Sequence, residues 1–128
     1  MLKKITDRAD VALLVDRFYA KVRQDEVIGP IFNGLISDWE EHLEKLTGFW
    51  TMNLFGTKSY SGNPMTAHQH ADDATGSQIS LYHFKIWLYY WFETIDEHYE
   101  GENAETLKRR AEKMHINLMA KILEHHNN

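Results

Sequence analysis

SDWEEHLEKLTGFWTMNLFG, residues 37–56, is the stretch on which the reading of this chain turns. Ser37 followed by Glu40 predicts a capping box, in which each side chain satisfies a free backbone amide at a helix start. Behind it Trp39, His42, Leu43, Leu46, Phe49, Trp50 and Leu54 fall on one face at the helical period. Gly56 predicts the end of that helix. The chemically unusual member of the stripe is His42. Burying an imidazole among apolar groups costs free energy unless its nitrogens find partners. His42 therefore reads either as a core histidine with a satisfied hydrogen bond or as a group whose partner is a ligand.

Toward the N-terminus, a first helix is expected from about residue 7 to residue 23. Val11, Leu14, Val15, Phe18 and Val22 form a single apolar stripe, with Tyr19 at its edge. Gly29-Pro30 opens a short turn that carries Ile31 and Phe32, and Asn33-Gly34 predicts another break. Toward the C-terminus, residues 57–64 read as a polar loop. Met65 to His70 suggest one or two helical turns after Pro64, and residues 72–76 again read as loop. Ser77 or Ser80 caps the next helix, which runs to about Tyr99. Its apolar residues Leu81, Phe84, Ile86, Trp87, Leu88, Trp91, Phe92 and Ile95 leave few polar faces and predict the central buried element. Gly101 and Asn103 end it and cap a last helix, whose stripe is Leu107, Ala111, Met114, Leu118 and Ile122. No period-two strand pattern, repeat or linker interrupts the order. The expectation is an all-α chain forming one domain over residues 1–128.

Composition narrows the function classes. With no cysteine, disulfides, thiolate catalysis and Cys-ligated metal centres are excluded. The net charge is −5, and the largest basic run, Lys108-Arg109-Arg110, lies beside Glu105 and Glu112, so nucleic acid is not the expected partner. Met1-Leu2-Lys3-Lys4 contains no apolar signal core, and the nearly uncharged stretch 86–92 is too short to span a bilayer. A cytoplasmic protein without membrane attachment is expected. There is no GxSxG elbow, no glycine-rich phosphate loop, and no carboxylate is read within an apolar stripe. His68-Gln69-His70 lacks the further ligands that tetrahedral zinc needs. No residue is assigned a catalytic role.

What remains is histidine, tyrosine and tryptophan among many rings. Singly, each has an ordinary reading: Tyr19 as a boundary residue with a wet hydroxyl, Trp87 as core, His68 as an exposed loop histidine. Together they suit a flat apolar cofactor, with one imidazole available to a metal and a second beside polar hydrogens on the opposite side.

Phe18-Tyr19-Ala20-Lys21-Val22-Arg23, Gly29-Pro30-Ile31-Phe32-Asn33, Trp39-Glu40-Glu41-His42, Phe49-Trp50, Tyr60-Ser61-Gly62-Asn63-Pro64 with His68, and His83-Phe84-Lys85-Ile86-Trp87-Leu88 occur in that order. From Phe18 to the last helix this series resembles the group III truncated haemoglobins. The resemblance implies a two-over-two helical sandwich around haem b. By position it implies His68 as the proximal iron ligand, with Tyr19, His42 and Trp87 facing the open iron site. Phe32 would wedge against the porphyrin, and Leu46, Phe49 and Trp50 would line the distal side and the haem edge. One local departure follows His68, where His70-Ala71 replaces more apolar residues.

The implied function is binding of O₂ and of related ligands such as NO, CO or cyanide, held too tightly for bulk transport. The alternative is a haem redox enzyme acting on NO or peroxide, as an NO dioxygenase or a peroxidase-like protein, served by an unidentified reductase. A third reading, from a different class, is a cofactor-free helical module whose aromatic face binds a partner.

Overall fold

In the computed structural model the described residues are 2–56 and 81–127, with side chains described except at 81, 118, 119 and 121–127. Five helices run through them in the order α1 (Arg8–Gln24), α2 (Gly29–Leu35), α3 (Trp39–Phe55), α4 (Leu81–His98) and α5 (Glu102–Asn127). α1 packs on α3 and α4, α4 packs on α5, and α3 reaches α5, so two pairs of helices lie across one another. The short α2 sits on α1. The expected caps at Ser77 or Ser80 and the turns expected over 57–76 lie outside the described residues.

α1 forms where its stripe predicts. Asp7 caps it by accepting from the Asp10 backbone N–H, and Val11, Leu14, Val15, Phe18, Tyr19 and Val22 are buried. The same face also buries a carboxylate that the sequence reading missed. Asp10 is 4% exposed and accepts from Lys3 Nζ (2.7 Å), Thr6 N (2.9 Å) and Thr6 Oγ1 (3.1 Å). Asp10 stands four residues before Leu14, on the stripe itself, so the expectation of no carboxylate there is corrected. It is a structural anchor. The Tyr99 hydroxyl donates to the Asp10 carbonyl, Asn103 Nδ2 donates to the Ile5 carbonyl, and Lys3 pairs with Tyr99 in an isolated bridge. These bonds pin the N-terminal segment to the corner between α4 and α5.

Burial alone would raise the Asp10 pKa, but the hydrogen bonds from Lys3 and Thr6 outweigh it and hold the carboxyl below its ordinary value. A folded pKa below the unfolded one gives stability that is present above about pH 4 and lost as the pH falls through the folded value. Asp10→Ala is therefore expected to cost about 2–3 kcal/mol at neutral pH. In urea denaturation, the gap to wild type should narrow between about pH 5 and about pH 2. A gap that stays constant over that range would remove the ionised carboxylate from the account.

α2 departs from expectation. Asn33-Gly34 does not break it, and it continues to Leu35. Asn33 is held instead by its side chain, with Nδ2 donating to the Arg23 carbonyl at 3.0 Å. A Cβ at Gly29 would meet that same carbonyl oxygen at 2.7 Å, so glycine lets the start of α2 sit directly on the end of α1. Between them, Asp25 accepts from the backbone of Val27 and Ile28 and from the Tyr90 hydroxyl (2.6 Å), which ties this corner to α4.

α3 is capped one residue later than predicted. Asp38, not Ser37, accepts from the Glu41 N–H at 3.0 Å, since an ionised acceptor suits the positive end of a helix. Gly56, at φ +77°, ends the helix as expected. The buried residues of α3 are Thr47, Gly48, Trp50 and Thr51, while Trp39, His42, Leu43, Leu46, Phe49 and Leu54 are half-buried. Close packing thus runs through small residues, and most of the large apolar stripe lies at the margin of the core.

α4 is amphipathic rather than buried all round: Phe84, Trp87, Trp91 and Ile95 are buried, Ile86, Leu88 and Phe92 half-buried, and Tyr82 and Tyr89 exposed. Trp91 is at the centre, stacked on Trp50 at 4.7 Å and on Trp87 at 6.0 Å, its indole N–H donating to the Leu107 carbonyl. Gly101, at φ +102°, makes the turn into α5, and its carbonyl accepts from Glu105 N. Asn103 does not cap; it lies inside α5 and holds Ile5. Ala104, Leu107, Ala111 and His115 form the buried face of α5, with Met114 half-buried. No helix among the described residues is long and apolar enough to cross a membrane.

A candidate ligand pocket between the first and third helices

Tyr19 closes the stripe of α1 and is 5% exposed. Its ring meets Phe18 at 4.7 Å, Phe32 of α2 at 6.1 Å, and Trp39 and His42 of α3 at 5.7 Å each. From α4, Trp87 brings its indole N–H to the Tyr19 oxygen at 3.5 Å, the outer limit of a hydrogen bond. Four helices thus bring Tyr19, Phe32, His42 and Trp87 together.

The electrostatics of that place are specific. Burial pushes the Tyr19 pKa up to about 12, against a smaller opposing effect of the Trp87 hydrogen bond. The phenol is therefore protonated at any physiological pH. Its oxygen accepts from Trp87, and among the described residues its own hydrogen finds no acceptor. Burial, and then the positive charge of Lys45, hold the His42 imidazole below its ordinary pKa and hence neutral at pH 7. His42 Nε2 is buried and, among the described residues, without a hydrogen-bond partner. Buried polar atoms without partners are rare, because each forfeits its hydration for nothing in return. Two unfulfilled groups on touching rings, walled by Phe18, Phe32 and Trp39, form a small polar spot on an apolar surface. Such a spot can meet one small polar group of a ligand that is otherwise apolar.

The remaining expected contacts sit along the same side. Leu46 and Phe49 are half-buried against the core, one and two turns of α3 beyond His42. Trp50 is buried at 3% exposure, meeting Phe49 at 5.0 Å and stacking on Trp91. His68, the expected metal ligand, lies outside the described residues, as do His70 and the Tyr60–Pro64 motif.

Two site members escaped the sequence reading as such. Trp39 was placed on the stripe but not at the pocket, although it stands three residues before His42. Arg23 stands four residues after Tyr19 on α1, and its guanidinium carbon lies 4.4 Å from the centroid of the Trp39 ring. The helical spacings i+3 and i+4 were the available signals. A second buried imidazole, His115, also has an Nε2 without a partner among the described residues; it packs against Phe84 at 5.4 Å, and burial lowers its pKa, with Glu112 opposing and Lys85 adding to the effect.

Comparison with known proteins bears on the family and the fold. A family model described as bacterial-like globin matches residues 1–122. The group 3 truncated hemoglobin ctb of Campylobacter jejuni is 32% identical over 110 residues, which make up 83% of this chain and 83% of that one. The fold is similar to the crystal structure of the group III truncated hemoglobin from Campylobacter jejuni, with a TM-score of 0.85 and 28% identity, covering 95% of each chain.

Proposed function

The chain belongs to the bacterial-like globins, and on that premise we propose that it binds haem b through His68 and holds O₂ tightly rather than carrying it in bulk. Membership of the family implies haem binding and the binding of diatomic gases. The observation that carries the finer reading is His42 Nε2, unpartnered among the described residues, beside the buried Tyr19 hydroxyl, whose oxygen accepts from Trp87, on rings 5.7 Å apart. In this reading Phe32, Leu46, Phe49 and Trp50 contact the macrocycle. Tyr19, His42 and Trp87 surround its free face.

When bound, haem supplies an iron on which a diatomic gas is held and polarised. The chain does the rest. The protonated Tyr19 hydroxyl would supply a hydrogen-bond donor to a gas bound there. Trp87 donates to the Tyr19 oxygen, leaving that hydrogen free to point inward. Neutral His42 offers a second N–H at the same spot, and the surrounding rings exclude water. A hydrogen bond to a charged group contributes about 1.5–3 kcal/mol, and each 1.4 kcal/mol is about tenfold in affinity. Two such donors therefore slow release far below what bulk delivery needs.

One observation favours the redox alternative, turnover of NO or peroxide with an external reductase. A neutral imidazole with an unengaged nitrogen is the state required of a base that takes a proton from peroxide.

Adding hemin to the purified chain should give a Soret band that saturates at one haem per chain, followed by slow O₂ release from the ferrous form in stopped-flow. A preparation that stays colourless would end the haem reading. Release as fast as that of an ordinary storage globin would end the tight-binding one. Reductant-supported turnover of peroxide or NO that falls in His42→Leu would favour the enzyme.

A further inference from the structure

We propose that Arg23 is a positioning residue for the pocket, acting through Trp39 to hold the His42 imidazole where a bound gas would meet it. The proposal rests on the reading of His42 as a ligand-facing group. Its basis is a stack built from three helices. Asn33 of α2 holds the Arg23 side chain through Oδ1, which accepts from Arg23 Nε at 3.3 Å, and anchors the same residue's carbonyl through Nδ2. The guanidinium so held lies over the Trp39 indole at 4.4 Å. That indole meets His42 edge-on, at 5.5 Å and 89°. Tyr19 touches both rings, so the three form a triangle with centroids 5.5 to 5.7 Å apart.

The arrangement matters because His42 Nε2 has no hydrogen bond to fix it. The χ2 torsion of a histidine is broad, so the rings packed against it must set its orientation. Tyr19 and Trp39 are two adjoining walls that also touch each other. Tyr19 is buried, whereas Trp39 is half-buried in the first turn of α3, where a helix end frays most readily. Arg23 presses that ring inward. Among the described residues Arg23 makes no ion pair, so an exposed cation spends its contacts on an indole and an amide instead of a carboxylate. A planar guanidinium stacks on an aromatic face in a way that an ammonium does not.

The test compares Arg23→Gln, Arg23→Lys and Trp39→Leu with wild type in two measurements. The first is the NMR shift of the His42 ring protons in the haem-free chain, which reports ring placement through neighbouring ring currents. The second is gas dissociation from the haem-loaded ferrous protein. Arg23→Gln should move the His42 resonances in the direction of Trp39→Leu and speed dissociation by about two- to fivefold. Arg23→Lys should recover part of both effects, since it keeps the charge but loses the plane. His42 resonances unmoved in Arg23→Gln would overturn the proposal. So would a shift accompanied by a lower melting temperature with no recovery in Arg23→Lys, which marks general loosening. A shift with partial recovery but unchanged gas dissociation would uphold the positioning role and count against His42 as a ligand-facing group.

Discussion

His68→Ala is expected to abolish stable haem retention, whereas His70→Ala leaves it intact. Haem held only by apolar contacts keeps the burial of its faces but loses the bond that fixes the iron. Altering an outer partner of a metal-ligating histidine already costs about 10–100-fold in metal affinity, so losing the ligand itself should exceed that range. The two substitutions form a matched pair, alanine at sites two residues apart in one segment, and nonspecific loosening of that segment should affect both. Haem transfer to excess apomyoglobin measures the difference directly. Retention in His68→Ala with loss in His70→Ala would move the ligand to position 70. Retention in both would show that neither histidine is required singly and would sink the assignment of His68 as the one proximal ligand.

His68 differs in kind from Tyr19 and His42. The latter two occupy helices whose apolar period is legible, and a period says which residues face inward. Val11, Leu14, Phe18 and Val22 predict α1 almost to its ends, and the ring cluster around Tyr19 follows once α1, α3 and α4 are known to meet. Residue 68 has no periodic frame. Only the resemblance points to it.

Where the sequence reading failed, local signals lost to longer-range ones. Ser37 and Glu40 match a capping box, but so does Asp38 with Glu41, and the charged acceptor takes the position. Asn33-Gly34 has turn chemistry, yet Asn33 is bonded back to Arg23 and the helix runs through it. Asp10 carries no local sign of burial; its partners Lys3 and Thr6 approach from a non-helical segment that no period describes. The face of α3 was displaced for a related reason. Hydrophobicity ranks Leu46 and Phe49 above Thr47, Gly48 and Thr51, but helices approach most closely through small residues. The threonine hydroxyls are satisfied by their own helix, Thr47 to the Leu43 carbonyl and Thr51 to the Thr47 carbonyl, so burying them is cheap. The large residues are left at the margin of the core, beside His42, where a pocket needs them.

Tyr19→Phe is expected to speed O₂ release by about 10- to 100-fold, the equivalent of one hydrogen bond to a charged acceptor. The substitution is close to a pure deletion. The phenyl ring can keep its contacts with Phe18, Phe32, Trp39 and His42, so the walls stay in place while one donor disappears. Two effects act in opposite directions. The Trp87 N–H loses its acceptor and can turn toward the bound gas, which pulls the effect toward the lower figure; that bond is long at 3.5 Å, so little stability is lost with it. Against this, His42 alone cannot restore a second donor. The Tyr19→Phe/His42→Leu double variant decides between shared and independent action. Independent donors give multiplied rates, whereas a single network gives a double variant little faster than the faster single one. Because the Tyr19 pKa stands near 12, the wild-type advantage over Tyr19→Phe should hold from pH 7 to about pH 10. An advantage that faded within that interval would mean that the donor is not the buried phenol, and release unchanged by Tyr19→Phe would remove the hydroxyl from the pocket chemistry altogether.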